Sequence, residues 1–345
     1  MSRYALLLKA SANRVYGASA FDLARAELLA MARASGALVE HIDREEIAGV
    51  DYLVATSTSP LTERQVELWS NLSSLHALFE VEGARFAPVS IAPLARLDED
   101  IVTIQRYPGK TNEAFTHLLV NMALVESDDA FGRLLRGGRL TLVDPVCGRG
   151  TTLNRAALYG MDACGIELDQ RDAEAYTQFL LTWLKDKRLK HRLEQAKLRR
   201  GRDTPAHRIT VTYGHGKDRS THRVIDVIHD DTRAARTHLK ARSADLMACD
   251  LPYGVQHGSS RGSEHRDRGP AGLLAEALPV WFELLQPGAA VALAWNLNTL
   301  KRPRLVQLLR EAGFELRSAE DDDSFVHRVD RAIRRDVLVA ARPAG

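Results

Sequence analysis

Two apolar runs, at residues 140–143 and 244–249, each end in a polar turn that contains glycine or proline. The first turn, residues 144–152, reads DPVCGRGTT, and the second, residues 250–254, reads DLPYG. Short continuous apolar runs are typical of strands that are buried on both faces of a parallel sheet. Because ligands bind such sheets at the carboxyl ends of the strands, the two turns are predicted to form one site.

The chain from about residue 106 onward alternates between strand and helix patterns. Strands are predicted at 140–145, 162–168, 224–229, 244–250 and 289–295, and helices at 112–125, 151–159, from 170, 232–241, 271–285 and 302–312. A closing pair of strands, around 315–318 and 337–340, has no helix between its members and is predicted to pair antiparallel at an edge. This order indicates an α/β fold with a doubly wound parallel sheet and helices on both faces.

The first hundred residues show a different order of elements. Strands are predicted at 4–8, 38–42 and 52–56, helices at 21–33 and 62–79, and a connector at 80–105, which contains Pro88 and Pro93. The order of strands and helices resembles the ferredoxin-like motif. We therefore predict an N-terminal α+β domain with its connector over 1–100 and a second domain over 101–345.

The composition is that of a globular protein in a reducing compartment. The chain has 345 residues, of which 45% are hydrophobic and 27% are charged, and this length suits about two domains. Cys147, Cys164 and Cys249 are scattered in or beside predicted strands, so we expect them to be buried and reduced. No apolar stretch approaches the ~20 residues of a membrane span, and no His or Cys spacing indicates a metal site. These features predict a cytoplasmic protein without a metal centre.

A basic insertion, residues 185–223, interrupts the alternation of strands and helices. It holds thirteen lysines and arginines against four acidic residues, although the net charge of the whole chain is only +2. A concentration of positive charge on one projection favours contact with a phosphate backbone. The alternative is a solvated helix extension. On the first interpretation, Lys187, Arg188, Arg199 and Arg200 are predicted to contact nucleic acid.

The first turn has the features of a site for a small polar cofactor. Gly148 and Gly150 allow the backbone to approach a ligand closely, and a helix that begins at Thr151 presents free N–H groups to a carboxylate. Asp144, at the tip of the strand, can hold an ammonium group. A partner for a carboxylate and a partner for an ammonium suit an amino-acid moiety, as in S-adenosylmethionine. The dinucleotide-binding fingerprint is absent, since Leu153 occupies the place of its third glycine.

Acidic residues at the ends of the next two strands fit the same ligand. Glu167 can accept hydrogen bonds from both ribose hydroxyls, and Asp230 and Asp231 follow the strand where an adenine amino group would lie. Each of these carboxylates alone is more often a structural group; Asp231, for example, could cap the helix that follows it. Their occurrence on consecutive strands favours cofactor binding.

The second turn is predicted to hold the group that reacts. Methyl transfer to an exocyclic amine depends on holding the nitrogen lone pair in line with the bond that breaks. Asp250 and a backbone carbonyl can accept the two N–H bonds of the amine, and Pro252 fixes the turn. Tyr253 offers a ring on which a base can stack.

These segments resemble the class I S-adenosylmethionine-dependent methyltransferases, and among them the THUMP-associated tRNA guanine-N2 methyltransferases. The likeness covers residues 106–345 and is carried by residues 106–113 (RYPGKTNE), 144–152, 165–169 (GIELD), 250–254 and 329–336 (VDRAIRRD). It implies a Rossmann-like methyltransferase sheet and a reactive turn formed by Asp250, Leu251, Pro252 and Tyr253. It also implies cofactor contacts from Asp144, Cys147, Gly148, Gly150, Thr151, Glu167, Leu168, Asp230 and Asp231.

The resemblance implies RNA, and in particular tRNA, as the partner of the chain. The THUMP module of the family has no room in the first hundred residues, and the basic insertion is the candidate to replace it. The loop 255–269, with Arg261 and Arg266, is either a clamp for the substrate or a disordered polar loop. The alternatives to a tRNA methyltransferase are a DNA adenine-N6 methyltransferase and a non-catalytic module that binds RNA or senses the cofactor. A protein-glutamine methyltransferase would favour Asn in place of Asp250.

Overall fold

The computed structural model of the protein describes residues 1–10, 14–200, 204–214, 218–252 and 269–345. Three residues of the predicted site, Tyr253, Arg261 and Arg266, lie outside the described residues, and their roles stay predictions. None of the described helices is both long and apolar enough to cross a membrane.

The N-terminal part is built on a five-stranded antiparallel sheet. Its elements are β1 (Ser2–Leu8), α1 (Arg14–Ser35), β2 (Val39–Ile47), β3 (Val50–Ser57), α2 (Glu63–Trp69), β4 (Leu75–Glu82) and β5 (Arg85–Val89). From β1 to β4 the order of elements is that of the ferredoxin-like motif, and β5 extends the sheet at its edge. The predicted α+β domain of ferredoxin-like type is therefore confirmed.

The prediction of a helix over 62–79 is wrong. Helix α2 begins with a capping box at Thr62 and ends at Trp69. The chain then turns, and β4 pairs antiparallel with β1. The turn is fixed by a buried carboxylate, since the backbone N–H of Ser73 donates to Glu27 Oε1 at 3.1 Å. The predicted connector 80–105 is also wrong in part, because β5 forms a hairpin with β4.

The C-terminal part forms a large mixed sheet with helices on both faces. Its elements are α3 (Asp100–Thr103), α4 (Glu113–Val125), α5 (Ala130–Leu135), β6 (Thr141–Asp144), α6 (Thr151–Leu158), β7 (Asp162–Glu167), α7 (Gln170–Asp186), β8 (Lys190–Arg200), β9 (Thr204–Gly214), β10 (Arg223–His229), β11 (Leu246–Asp250), α8 (Pro270–Leu284), β12 (Ala290–Asn296), α9 (Arg302–Glu311), β13 (Glu315–Leu316), β14 (His327–Arg328) and β15 (Arg334–Ala341). The helix predicted at 232–241 is a shorter 3-10 helix, Thr232–Thr237.

The strand order of this sheet is the one that a doubly wound fold requires. Strands β10, β7, β6, β11 and β12 lie side by side in that order and are parallel. Strand β15 pairs antiparallel with both β12 and β13, so the closing pair forms an antiparallel edge as predicted. Two buried apolar clusters cover the two faces of the sheet, and one of them continues into the N-terminal part. The predicted Rossmann-like fold is confirmed.

The basic insertion forms a β-hairpin, and the alternative of a helix extension is wrong. Strand β9 pairs antiparallel with β10, and β8 pairs antiparallel with β9, so the hairpin extends the large sheet on the side opposite β13. The pairing is anchored by Asp226 on β10, whose carboxylate accepts hydrogen bonds from Arg208 and Thr210 on β9. Most described side chains of β8 are exposed on both faces of the strand.

A buried polar network joins the N-terminal part to the large sheet. Glu27 of α1 is fully buried, and its carboxylate accepts from the side-chain amide of Asn121 on α4 at 2.6 Å and from the Ser73 hydroxyl at 2.5 Å. Burial raises the pKa of Glu27 to about 7. Such a network fixes one arrangement of α1 against α4, because each buried polar group needs its partner. The exact domain boundary near residue 100 stays a prediction.

Candidate active site

The two predicted turns lie next to each other at the point where the strand order reverses. Asp144 ends β6 and Asp250 ends β11, and the two strands are parallel neighbours. Strand β7, which follows β6 in the chain, lies on the other side of β6. Crevices at such switch points are where open α/β sheets bind ligands.

The glycines of the first turn adopt backbone conformations that other residues rarely reach. Gly148 has a φ of 51° and Gly150 a φ of 75°, and Gly150 is the N-cap of α6. The ring of Tyr176 covers Gly150 closely: a Cβ at this position would lie 2.3 Å from Tyr176 Cε2. Tyr176 is fully buried, and its hydroxyl donates to Asn154 Oδ1 at 3.1 Å. Position 150 therefore requires glycine, because a side chain would be strained at this positive φ and would clash with the ring of Tyr176.

Glu167 is held by two backbone N–H groups. Its carboxylate accepts from Gly148 N and from Asp169 N, both at 2.8 Å. Burial is the main influence on this carboxyl and raises its pKa. A carboxylate has about four acceptor positions, so the two bonds orient the group and leave capacity for two ligand hydroxyls. Leu168, directly after it, is 68% exposed, which is unusual for leucine and offers an apolar face beside the carboxylate.

Asp144 is buried at the end of β6, where the first turn begins. Its Oδ1 accepts from Val146 N at 3.1 Å, and burial raises its pKa to about 7. Cys147 is also buried, and burial raises its thiol pKa well above the ordinary value. The side chain therefore stays a protonated thiol and does not act as a nucleophile. Thr151, the first residue of α6, is hydrogen-bonded through its hydroxyl to that of Tyr107 at 2.9 Å. This hydrogen bond links the start of α6, and with it the first turn, to Tyr107.

The acidic pair after β10 contacts groups of the chain itself. Asp230 Oδ2 lies 2.5 Å from His238 Nε2, and Asp230 Oδ1 accepts from the backbone N–H of Asp231 at 2.7 Å. Asp231 caps the following 3-10 helix and forms an ion pair with Arg233. The capping role considered for Asp231 is therefore present. Contact of either carboxylate with a cofactor stays a prediction.

Asp250 is held by two residues that the sequence analysis did not assign to the site. The Thr111 hydroxyl donates to Asp250 Oδ2 at 2.7 Å, and Arg335 Nη2 lies 3.1 Å from the same oxygen. Thr111 precedes α4, and Arg335 lies on β15, next to β12. Both belong to segments that carry the family resemblance, 106–113 and 329–336. The structure thus brings three separate resemblance segments together at one carboxylate.

The surroundings of Asp250 are aromatic and basic. The guanidinium of Arg335 lies 4.4 Å from the ring centre of Phe115, which also contacts the imidazole of His327. Burial lowers the pKa of His327 to about 4, so its ring is neutral at pH 7. A cavity of about 240 Å³ opens here, lined by Lys110, Thr111, Asn112, Glu113, His327, Arg328, Val329 and Arg335. Leu251 is buried, and Pro252 lies at the surface.

The basic residues predicted to contact nucleic acid have different surroundings. Lys187 Nζ lies 2.8 Å from Asp98 and 2.6 Å from Asp100, so its charge is matched by carboxylates of the chain. Arg188 is exposed at the turn before β8, and Arg199 and Arg200 belong to the end of that strand. Their contact with nucleic acid stays a prediction.

The fold and the two strand-end turns agree with the class of protein that the sequence predicts. A parallel sheet with an antiparallel strand near one edge, a glycine-rich first turn, and acidic residues at successive strand ends are the features that the family resemblance predicts. Residues 135–265 match the family described as RMKL-like, methyltransferase domain. The predicted resemblance to S-adenosylmethionine-dependent methyltransferases is thereby confirmed, and the THUMP-associated type is consistent with it. No curated protein matches the chain significantly.

Many solved structures resemble the chain only distantly. The rRNA methylase of Streptococcus thermophilus is 9% identical, with 66% of this chain and 95% of that chain covered and a TM-score of 0.37. The TehB-like SAM-dependent methyltransferase of Corynebacterium glutamicum is 12% identical, with 61% and 85% covered and a TM-score of 0.34. Among the described residues, no group of His, Cys, Asp and Glu side chains is arranged to hold a metal ion.

Proposed function

We propose that the protein methylates RNA, and specifically the N2 amine of a guanine in tRNA, with S-adenosylmethionine as the methyl donor. The observation that carries this proposal is the position of Asp250. Its carboxylate lies on the strand next to Asp144, at the switch point of the sheet, and is fixed by Thr111 and Arg335. The matched methyltransferase family supports the reaction class. The choice of tRNA guanine rests on the resemblance of the DLPYG turn.

The described residues fit the cofactor. Glu167 is oriented by two backbone N–H groups and retains acceptor capacity for the ribose hydroxyls. Asp144 supplies a buried carboxylate for the ammonium, and the N-terminus of α6 supplies N–H groups for the carboxylate. When bound, S-adenosylmethionine supplies an electrophilic methyl group on a positively charged sulfur.

Asp250 acts on the amine that receives this methyl group. An aromatic amine is a weak nucleophile because its lone pair is shared with the ring. When the carboxylate and a backbone carbonyl of the turn accept its two N–H bonds, the lone pair is directed towards the methyl carbon. S-adenosylmethionine would supply the methyl group, so that an N–C bond would form as the S–C bond breaks, and the N–H proton that the amine loses would pass to solvent. Thr111 and Arg335 hold Oδ2 in place, so that the carboxylate does not have to reorganise during the reaction.

The class of substrate is tested by transfer of labelled methyl groups to three acceptors. Purified protein is incubated with labelled S-adenosylmethionine and unmodified tRNA, duplex DNA or a glutamine-containing peptide. We expect incorporation into tRNA alone. Incorporation into DNA would instead identify an adenine-N6 methyltransferase, and incorporation into the peptide a protein methyltransferase. Cofactor binding without transfer to any acceptor would overturn the proposal and favour a non-catalytic module.

The affinity for S-adenosylmethionine should fall as the pH is lowered below 7. Burial raises the pKa of Asp144 to about 7, so its carboxyl is protonated at lower pH and loses its attraction for the ligand ammonium. One proton must then leave for each cofactor bound, which predicts a loss of affinity that approaches tenfold per pH unit as the pH falls below 7. Calorimetric titration between pH 5.5 and 7 measures this change and avoids the range near pH 8 where the α-amino group itself loses its proton. In Asp144→Asn the affinity should be low and independent of pH over this range. A pH-independent affinity in the wild-type protein would contradict the assignment.

Replacement of Thr111 by valine should slow methyl transfer about ten- to a hundredfold, the equivalent of one hydrogen bond to a charged group. The change removes the bond to Asp250 Oδ2 but keeps the shape of the side chain. We expect a lower kcat with little change in the affinity for cofactor, since Thr111 positions the carboxylate. Thr116→Val is the matched control, because the same change of side chain removes a hydroxyl whose hydrogen bond goes to the carbonyl of Asn112. Equal rates for the two variants would show that Thr111 has no positioning role.

A further inference from the structure

The hairpin loop between β14 and β15 presents a cluster of arginines to a second cavity. This cavity, of about 500 Å³, is lined by Ser19, Asn298, Val326, His327, Arg328, Asp330, Arg331, Ile333 and Arg334. We refer to residues 328–334 as the arginine loop. Ser19 belongs to α1, so the cavity lies where the N-terminal part meets the large sheet.

The arginines of this loop differ from most others on the surface in their lack of carboxylate partners. Many exposed arginines elsewhere form ion pairs with acidic side chains, among them Arg44 with Asp51, Arg139 with Asp162 and Arg310 with Glu320. Arg328, Arg331 and Arg334 are exposed, and within the described ranges none of them forms an ion pair. The positive charge of the loop is therefore available to an external anion.

The acidic residue of the loop does not neutralise this charge, because it shapes the turn. Asp330 Oδ1 accepts from the backbone N–H groups of Ala332 and Ile333, at 2.7 and 2.8 Å. Arg328 Nε donates to the backbone carbonyl of Asp330 at 2.9 Å. The loop is also tied to the sheet, since Asn298 Nδ2 donates to Ala332 O at 2.8 Å. The arginines thus belong to a loop whose backbone is held by Asp330 within the loop and by Asn298 of the neighbouring segment.

The arginine cavity adjoins the cavity that is lined by Thr111 and Arg335, the two residues that hold Asp250. His327 and Arg328 line both, and Arg335, which contacts Asp250, directly follows Arg334 in the chain. An RNA strand that places one base at Asp250 has to lay the neighbouring part of its backbone along an adjacent wall. The planar guanidinium of arginine matches the geometry of phosphate oxygens and binds them with two parallel hydrogen bonds.

We infer that the arginine loop binds the phosphate backbone of the RNA next to the target nucleotide. This inference rests on the proposed function and adds to it a binding site outside the basic hairpin. Arg331 and Arg334 contact phosphate oxygens and fix the register of the strand, as phosphate contacts do in nucleic-acid complexes. Arg328 stands between the phosphate site and the base site.

The test compares two double variants that remove the same amount of charge. Arg331→Ala/Arg334→Ala removes two loop arginines, and Arg44→Ala/Arg310→Ala removes two exposed arginines that are paired with carboxylates elsewhere. Binding of an unmodified tRNA transcript, without cofactor, is measured over a range of salt concentrations. Loss of two phosphate contacts should lower the slope of log K against log salt by about 1.4 to 1.8. We expect this change, with at least tenfold weaker binding at low salt, only for the loop variant.

Further measurements separate this inference from the proposed function. Arg331→Lys/Arg334→Lys keeps the charge and should retain most of the salt slope, and the affinity of all variants for S-adenosylmethionine should equal that of the wild type. If the wild type methylates tRNA and the loop variant binds it like the control variant, the loop inference alone is overturned. If the wild type binds tRNA through the loop but transfers no methyl group, the proposed function fails and the phosphate site stands. A wild-type protein that does not bind tRNA overturns both.

Discussion

Replacement of Asp250 by alanine will lower the rate of methyl transfer by about a thousandfold, while cofactor binding remains. Losses of about a hundred- to a thousandfold are typical when one group that stabilises the transition state is removed. Asp250→Asn keeps one acceptor oxygen and should lose less. Single-turnover rates with saturating tRNA measure the effect on the chemical step, and cofactor affinity reports on the neighbouring turn. A rate within tenfold of the wild type would show that Asp250 does not hold the reacting amine.

The variant has a second consequence, because Asp250 also pairs with a buried arginine. Loss of the carboxylate leaves the charge of Arg335 without this partner, and breaking a buried pair costs about 3 to 5 kcal/mol. The double variant Asp250→Ala/Arg335→Met removes that charge and should regain stability without regaining the rate. If the double variant recovered activity, the loss in the single variant would reflect misfolding and not chemistry.

Replacement of Gly150 by alanine will destabilise the fold and abolish cofactor binding. The new Cβ would lie 2.3 Å from the buried ring of Tyr176, and the φ of 75° is unfavourable for alanine. Overpacking and backbone strain together are expected to cost about 2 to 4 kcal/mol. Urea denaturation measures this cost, and calorimetry measures the affinity for S-adenosylmethionine.

Gly148→Ala is the matched control for this prediction. Gly148 has a φ of 51°, but nothing lies within 4 Å of a Cβ built on it. Only the backbone strain remains, about 1 kcal/mol, so the variant should fold. If the cofactor approaches the backbone at this turn, Gly148→Ala should still weaken cofactor binding. Equal stability of the two variants would contradict the proposed contact between Gly150 and Tyr176.

The sequence predicts the large sheet well because its strands are short, apolar and end in distinctive turns. The spacing of apolar residues misleads where a helix, a turn and a strand together happen to show helical spacing. Leu68, Leu72, Leu75 and Phe79 are spaced three or four residues apart, which predicts one helix over 62–79. The polar residues 70–74 instead form a turn bonded to Glu27, a contact between residues far apart in the chain. The spacing of apolar residues along the chain does not reveal a contact between such distant residues.

The two strands of the basic hairpin cannot be recognised from the sequence for another physical reason. Strand β8 lies at the edge of the sheet with both faces largely exposed, so its sequence lacks the alternation of apolar and polar residues that marks a strand. The positive charge of β8 can be read from the sequence, whereas its strand conformation depends on pairing with β9.

The site itself was predictable only in part. The strand-end carboxylates and the glycines follow from the turns, whereas the partners of Asp250 do not. Thr111 is 139 residues away from Asp250 in the chain, and Arg335 comes from the last strand. The resemblance marked both segments, but only the folded chain shows that they meet at one oxygen.

The most direct test of the central claim identifies the atom that receives the methyl group. Unmodified tRNA is incubated with the protein and deuterated S-adenosylmethionine, digested to nucleosides, and analysed by mass spectrometry against N2-methylguanosine and other methylated standards. The proposed arrangement predicts label in N2-methylguanosine with the wild type and none above background with Asp250→Ala. Label in a nucleoside methylated at a ring nitrogen, on carbon or on ribose, or label that persists in the variant, would contradict it.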